Sequence, residues 1–387
     1  MLNEQILTHA KIVTAEQVFT GTVVLRDGLI SEIDDSISQL SQAQNLNGDY
    51  LLPGLVELHT DNLEKHLSPR PGVDWPSASA VMSHDAQIIA AGITTVFDAL
   101  SIGDVNPKGK RMQQLPGMVD AIAKANAADM TRAEHRLHLR CEVCHPDTLS
   151  VFRDLVEQPL VQLVSVMDHS PGQRQFALES KYREYYMGKY HLSTEQMDEF
   201  IVEQVANSKT YSDRYRRAIV DICLARGLSV ASHDDATLAH VEESAAYGMS
   251  IAEFPTTLEA AQGCRRLGMS VLMGAPNIVR GGSHSGNIAA ATLAEEGLLD
   301  ILSSDYYPAS LLQAAFTLGA QLDAADDSTG AGLARAVTTV SLAPARSAGL
   351  HDRGEIRVGL RADLIHARAI GTLPIIQQVW RQAKRVF

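Results

Sequence analysis

Hydrophobic and polar positions change rhythm along the chain. Near the start, TGTVVLRDGLISEID alternates apolar and polar residues on either side of Asp27-Gly28, which predicts two strands joined by a tight turn. The end repeats this rhythm in GEIRVGLRADLIHA and IIQQVWRQAKRVF. Between them stand eight short apolar runs, at 54–61, 94–100, 136–142, 163–170, 229–235, 250–256, 270–277 and 300–306. Stretches of helical period, such as GMVDAIAKANAADM and LAHVEESAAYG, separate most of them. Eight strands alternating with helices predict an α/β fold, a (β/α)8 TIM-like barrel over residues 53–343. Connected elements of compact folds pack together, so residues 1–52 and 344–387 are expected to form one small β domain from both termini, the plainer alternative being that each segment pairs elsewhere.

Composition narrows the function. Of 387 residues, 45% are hydrophobic and 20% charged, enough for a large core. A formal charge of −13 argues against nucleic acid or an anionic membrane as partner. An anionic small-molecule substrate would therefore need a local basic pocket or a metal. The four cysteines show no disulfide framework, which implies a reducing compartment. Cys141-x-x-Cys144 could be half a zinc site, but no second pair accompanies it. The start carries no basic and apolar leader and no run is long enough to span a bilayer, so a soluble cytoplasmic protein is expected. A homo-oligomer is the expected assembly, being the commonest for such enzymes.

The apolar runs end in His, Asp, Glu or Asn. In a parallel barrel these ends converge on the face that carries the active site. Polar loops alone would explain Ser and Asp there, but not His59, His169 and His233, each beside a carboxylate. His59 and Asp61 are two apart, so both can face the mouth. With Glu142, His169, His233 and Asp305 they make a set able to hold one or two divalent ions. Glu142 is the candidate bridge between two ions, and Asp305 the group that takes the proton of an acidified water and passes it to the leaving group. Asp168 could orient His169, Asp234 or Asp235 could hold His233, and Glu253 is a reserve ligand. The sequence leaves Zn²⁺, Mn²⁺ and Fe²⁺ open.

From about Pro171 to Asn207 the chain reads as a long loop, with Ser193 and Gln196 opening a helix through a capping box. Its Arg174, Lys181, Arg183 and Lys189, set among tyrosines, suit a lid over an anion; a solvated excursion is the plainer alternative. After the seventh run, Gly281, Gly282 and Gly286 could turn backbone N–H groups toward an anion beside Asn277, Arg280, His284 and Asn287. A plain tight turn would look the same.

LLPGLVELHTDNLEKH resembles the barrel start of the amidohydrolase superfamily, where the first strand follows Pro-Gly and carries the first metal ligands. LHTDN, SPRPGVDWP, AEHRLHLRCE, VMDHSPGQRQF, ASHDDAT, EFPTT, LMGAPNIVRGGSHSGN and LSSDYYPASLL resemble, more narrowly, the phosphonate-metabolism hydrolases of the carbon–phosphorus lyase pathway. The narrower resemblance runs from about residue 50 to the end, and the terminal β segments resemble the superfamily's small β-sandwich, which implies that form for the domain of residues 1–52 and 344–387. It implies hydrolysis of α-D-ribose 1-methylphosphonate 5-triphosphate to the 5-phosphate and pyrophosphate, with the lid cations and Arg280 holding the triphosphate. The chain departs from the superfamily in carrying His59-x-Asp61 for His-x-His, Glu253 and Phe254 where a histidine is usual, and no bridging lysine. A cyclic amidase or deaminase on the same scaffold is the competing enzyme reading, although it would suit a neutral pocket better. A metal-free scaffold protein would lack ligands, whereas candidates stand on strands one, three, five and eight.

Overall fold

The computed structural model describes residues 4–106, 109–176, 179–283, 286–325 and 330–387. The N-terminal stretch forms β1 (Glu4–Val13), β2 (Val18–Arg26), β3 (Leu29–Asp34), β4 (Gln44–Asn45) and β5 (Tyr50–Pro53). Asp27 and Gly28 both lie at positive φ, 51° and 84°, the twist that lets a two-residue turn join β2 to β3.

The barrel follows, as β6 (Leu55–Thr60), β7 (Ile93–Ile102), β8 (Glu134–Glu142), β9 (Val161–Met167), β10 (Ser229–His233), β11 (Ile251–Glu253), β12 (Ser270–Gly274) and β13 (Ile301–Ser303). Each falls within or overlaps one of the eight apolar runs. Three C-terminal strands, β14 (Leu364–Ile370), β15 (Leu373–Arg381) and β16 (Lys384–Arg385), return to the N-terminal ones. There β14 pairs antiparallel with β5, which pairs parallel with β1, so both termini share one mixed sheet. Trp380 sits in its core with Leu7, Leu25 and Leu51, and its indole N–H donates to Gln5 at 3.1 Å.

Neighbouring barrel strands are parallel from β6 round to β13. All ten residues of β7 are buried, because one face meets the lumen and the other the helices. Val56, Leu58, Phe97, Leu163, Ile251 and Leu272 fill the lumen, and Ala345 and Leu350 join them. The last gap, between β13 and β6, closes differently at its two ends. At the rim Asp305 N–H donates to His59 O at 3.0 Å and Asp61 N–H to Asp305 O at 3.2 Å. Lower down the chain wedges in, Thr339 O accepting from Leu302 N–H at 2.9 Å and Val340 O from Val56 N–H at 3.0 Å.

The stretch expected as a long loop is largely helical, which corrects that reading. The capping box is present: Ser193 Oγ accepts from Gln196 N–H at 3.2 Å, and Gln196 Oε1 from Ser193 N–H at 2.9 Å. It opens a 32-residue helix, Thr194–Ala225. Before it, Glu179–Tyr190 is also a helix, because Tyr182, Tyr186 and Tyr190 recur every fourth residue and pack on Phe200. No described helix is long and apolar enough to cross a membrane.

Candidate active site

Strand β8 reads RLHLRCE over 136–142, and its two faces part by chemistry. Leu137, Leu139 and Cys141 join the core between barrel and helices. Arg136, His138, Arg140 and Glu142 point inward: Arg136 lies 6.0 Å from the ring centre of lumen Phe97, His138 packs edge-on to His59 at 5.3 Å, and Arg140 and Glu142 line the mouth. On β6 a bulge between Glu57 and Thr60 shifts the alternation. Leu58 already belongs to the lumen cluster, yet His59 also meets the inner residues. Asp61 stands one residue past the strand.

Three strand ends share one device. Asp234, Phe254 and Asp305 have φ of 57°, 54° and 54°. Each donates its N–H to a carbonyl of the next strand, Asp234 to Glu253 at 2.9 Å, Phe254 to Leu272 at 2.8 Å and Asp305 to His59 at 3.0 Å. The left-handed turn costs about 1 kcal/mol at a non-glycine residue. Such strain gathers at functional sites, where the surroundings hold it.

The mouth is a cleft of about 300 Å³. His59, Asp61, Glu142, His169, His233 and Asp305, the six expected metal ligands, all line it. His59 Nδ1 is 3.0 Å from Glu253 Oε1, and His138 Nε2 is 3.9 Å from the same oxygen. His138 Nδ1 faces Leu58 O at 2.9 Å, so it carries the proton and leaves Nε2 as acceptor for Ser165 Oγ at 2.9 Å. His169 Nδ1 meets Glu142 Oε2 at 2.5 Å. Asp234 Oδ2 stands between two imidazoles, 2.9 Å from His233 Nδ1 and 3.4 Å from His169 Nε2.

Burial, with the Arg140 charge behind it, holds His59 well below the usual imidazole value, so the ring is neutral. Burial likewise takes His138 down to about 3. It also works against charge on His169, but Glu142 and Asp234 push that ring up to about 10. Burial and the Asp61 carboxylate raise Asp305 to about 6.

These residues fit a divalent cation. His233 Nε2 and Glu253 Oε2 are buried without a hydrogen-bond partner, an expense a protein seldom tolerates unless something else takes the lone pairs. Neutral His59 and the repelled carboxylate pair Asp61–Asp305 are donors that a cation stabilises. The Cys141-x-x-Cys144 pair makes no zinc half-site here: both thiols are buried, Cys141 faces the helices, and Cys144 donates to Glu142 Oε1 at 3.3 Å.

The expected substrate residues divide. Lys189, Asn277 and Arg280 line the cleft. Arg174 does not; it is buried and bound to Asp235 and, at 3.2 Å, to Glu243. Arg183 is engaged by Glu179 at 2.8 Å and Asp198 at 2.6 Å, and Lys181 is exposed away from the cleft. The helix that buries Tyr182 and Tyr186 turns these cations outward, which corrects the picture of a four-cation lid. His284 lies outside the described residues. Residues that the sequence reading missed include Arg140 and Arg111, and Tyr185, Tyr186 and Tyr190 wall one side. The period-two pattern of RLHLRCE is the signal that would have found Arg140.

No family model matches the chain. It is 53% identical over 382 residues, 99% of this chain and 100% of the other, to α-D-ribose 1-methylphosphonate 5-triphosphate diphosphatase of Escherichia coli (strain K12). Among solved structures it resembles a 5-methylcytosine deaminase from Klebsiella pneumoniae, with TM-score 0.63 and 16% identity over 99% of this chain and 98% of that one. An adenosine deaminase from Xanthomonas campestris with bound zinc gives TM-score 0.60 and 14% identity over 98% and 92%. At that distance the solved structures speak for the barrel fold only. The match to the Escherichia coli protein spans both chains from end to end, and by it this chain belongs to the α-D-ribose 1-methylphosphonate 5-triphosphate diphosphatase family.

Proposed function

We propose that the chain hydrolyses α-D-ribose 1-methylphosphonate 5-triphosphate to the 5-phosphate and pyrophosphate, in phosphonate catabolism and with a divalent metal. The observation that carries this reading is the meeting of six metal-type ligands and four cations, Arg111, Arg140, Lys189 and Arg280, in one cleft of a chain from this family. A neutral base or cyclic amide would have little use for that much positive charge, so the amidase or deaminase reading is not favoured.

His59, Asp61, His233 and Asp305, with Glu142 and His169 beside them, are the residues we assign to one or two ions, Zn²⁺ first and Mn²⁺ or Fe²⁺ next. Such an ion supplies charge for the phosphoryl oxygens and makes water a stronger acid. Glu142 keeps the role of bridge between two ions, and Asp234, set between His233 and His169, orients both imidazoles. Asp305 receives the proton of the attacking water, a role suited to a carboxylate raised to about 6. Lys189 and Arg280, exposed at the rim, meet the outer phosphates, and Asn277 shapes that wall.

We read the shared terminal sheet, wrapped round Leu7, Leu25 and Trp380, as the small sandwich domain of residues 1–52 and 344–387, with the barrel as 53–343 and the start of the returning segment, at Ala345 and Leu350, packed into its lumen. A cytoplasmic homo-oligomer is the form in which we expect the enzyme to act. The test is ³¹P NMR of the products from metal-loaded protein and the ribose triphosphate. Pyrophosphate plus 5-monophosphate, lost on chelation and in His59→Ala, supports reaction and site together. Bound metal without turnover overturns the substrate.

A further inference from the structure

Arg140 is the third inward residue of β8, between His138 deeper in the lumen and Glu142 at the rim. Its surroundings differ from those of the other cleft cations. Arg111 is held by Glu64 through two N–H groups, at 3.1 and 2.7 Å. Lys189 donates to Tyr185 Oη at 3.1 Å and lies over the Tyr185 and Tyr190 rings at 5.0 and 5.6 Å. Arg280 is exposed at the end of the helix Ala275–Arg280. The Arg140 side chain makes no hydrogen bond and has no carboxylate oxygen within 4.0 Å among the described residues, and its Nε is buried without a partner.

A guanidinium carries five donors, and a buried donor left unpaired costs free energy. Surface cations are commonplace, but an unpaired one inside a barrel mouth needs an acceptor that arrives from outside. The planar fork matches two oxygens of one phosphoryl group, a fit that the point charge of a lysine lacks. The location says which group. Arg140 lines the cleft with His59 and Asp305, one inward position above His138, whose ring packs on His59 at 5.3 Å, so it sits beside the reacting centre rather than at the rim.

We propose that Arg140 grips the non-bridging oxygens of the phosphoryl group that water attacks, leaving the outer phosphates to Lys189 and Arg280. This assignment rests on the diphosphatase reading. In the step, the water oxygen bonds to phosphorus and the P–O bond of the α–β anhydride breaks. The bridging oxygen leaves with the other fragment, and the proton from water passes to Asp305. Negative charge on the non-bridging oxygens is held at its peak by a donor already in place.

The experiment compares wild type, Arg140→Lys and Arg140→Gln, each metal-loaded, by ³¹P NMR kinetics, metal content, thermal melting and binding of a triphosphate with methylene between the α and β phosphorus. In Arg140→Gln, kcat should fall about 10²–10³-fold, with analogue affinity weakened about tenfold or less and metal content and melting kept. Arg140→Lys should recover only part of the loss, and added guanidinium should restore activity to Arg140→Gln but not to wild type. An Arg140→Gln enzyme within about threefold of an active wild type overturns the assignment alone. Loss of metal or fold in both variants makes Arg140 structural and overturns it too. A wild type that leaves the triphosphate intact overturns the diphosphatase reading and this assignment with it.

Discussion

Glu57 and Ser304 are joined across the seam of the barrel: Glu57 Oε2 accepts the Ser304 N–H at 2.6 Å, while Oε1 accepts the N–H of His59 at 2.7 Å. One carboxylate thus ties together the strand end that carries His59 and the one that leads into Asp305. The bulge in β6 frees the His59 N–H from the ladder, and Glu57 takes it up. Glu57→Gln keeps the shape but must turn an amide NH₂ toward one of the two N–H groups. Its stability should drop by about 2–4 kcal/mol, read as a lower urea midpoint at unchanged slope. A midpoint that does not move would mean the seam is held by its backbone bonds alone.

Asp305 closes the same seam with main-chain atoms and reaches into the cleft with its side chain. The two roles separate on substitution. Asp305→Asn keeps N–H and C=O in place, so the melting temperature should stay close to that of wild type. Loss of the proton acceptor should lower kcat about 10²–10⁴-fold. Equal losses of activity and stability would assign Asp305 to the fold alone.

The barrel was legible because its strands are buried on both faces and read as continuous apolar runs. The metal-type residues were legible because a parallel barrel gathers its strand ends. Two things escaped. The helix Glu179–Tyr190 hid among charges, its apolar stripe being made of tyrosines that a hydropathy pattern scores as polar. Arg140 hid inside a run counted as apolar, where period-two alternation rather than composition carried the information. Arg174 shows the converse. A basic residue in a basic segment looked free, but its partners Asp235 and Glu243 lie far along the chain, and pairing at that range has no local signature.

His135 carries a pH dependence away from the cleft. It is buried between Asp98, at 2.7 Å from Nδ1, and Asp85, at 3.3 Å from Nε2. Burial opposes its charge, but the two carboxylates push it up to about 9. The folded value lies above the unfolded imidazole value of about 6.5. Its stabilisation is therefore complete below about 6.5 and is lost as pH rises through about 9. Asp85 and Asp98 are both held below the ordinary carboxylate value, and their contribution goes only in acid. The urea midpoint difference between wild type and His135→Asn should shrink between pH ~6.5 and ~9. Parallel curves over that window would contradict a charged His135.

Arg174 should behave as part of the core rather than as a substrate clamp. Asp235, fully buried, also accepts from Ser232 Oγ at 2.6 Å and Ser244 Oγ at 3.2 Å, but Arg174 is its cationic partner. Arg174→Met strands that carboxylate, and breaking a buried pair from one side costs about 3–5 kcal/mol. Denaturation should show the loss while KM changes by less than about twofold. A raised KM at full stability would return Arg174 to the binding site.

Tyr182 offers a gain. Its ring is fully buried among Phe176, Tyr186 and Phe200, at centroid distances of 5.1, 4.5 and 6.1 Å. Its hydroxyl is buried without a hydrogen-bond partner. Tyr182→Phe keeps the ring contacts and deletes the unpaired donor, and relief of that desolvation penalty should stabilise the protein by about 1 kcal/mol. Chemical denaturation is the measurement to use, since in a chain this long 1 kcal/mol moves the melting temperature little. Activity should hold, because Tyr185, Tyr186 and Tyr190 line the cleft and Tyr182 does not. A variant less stable than wild type by a similar amount would show that the hydroxyl is bonded in solution, with water as its partner.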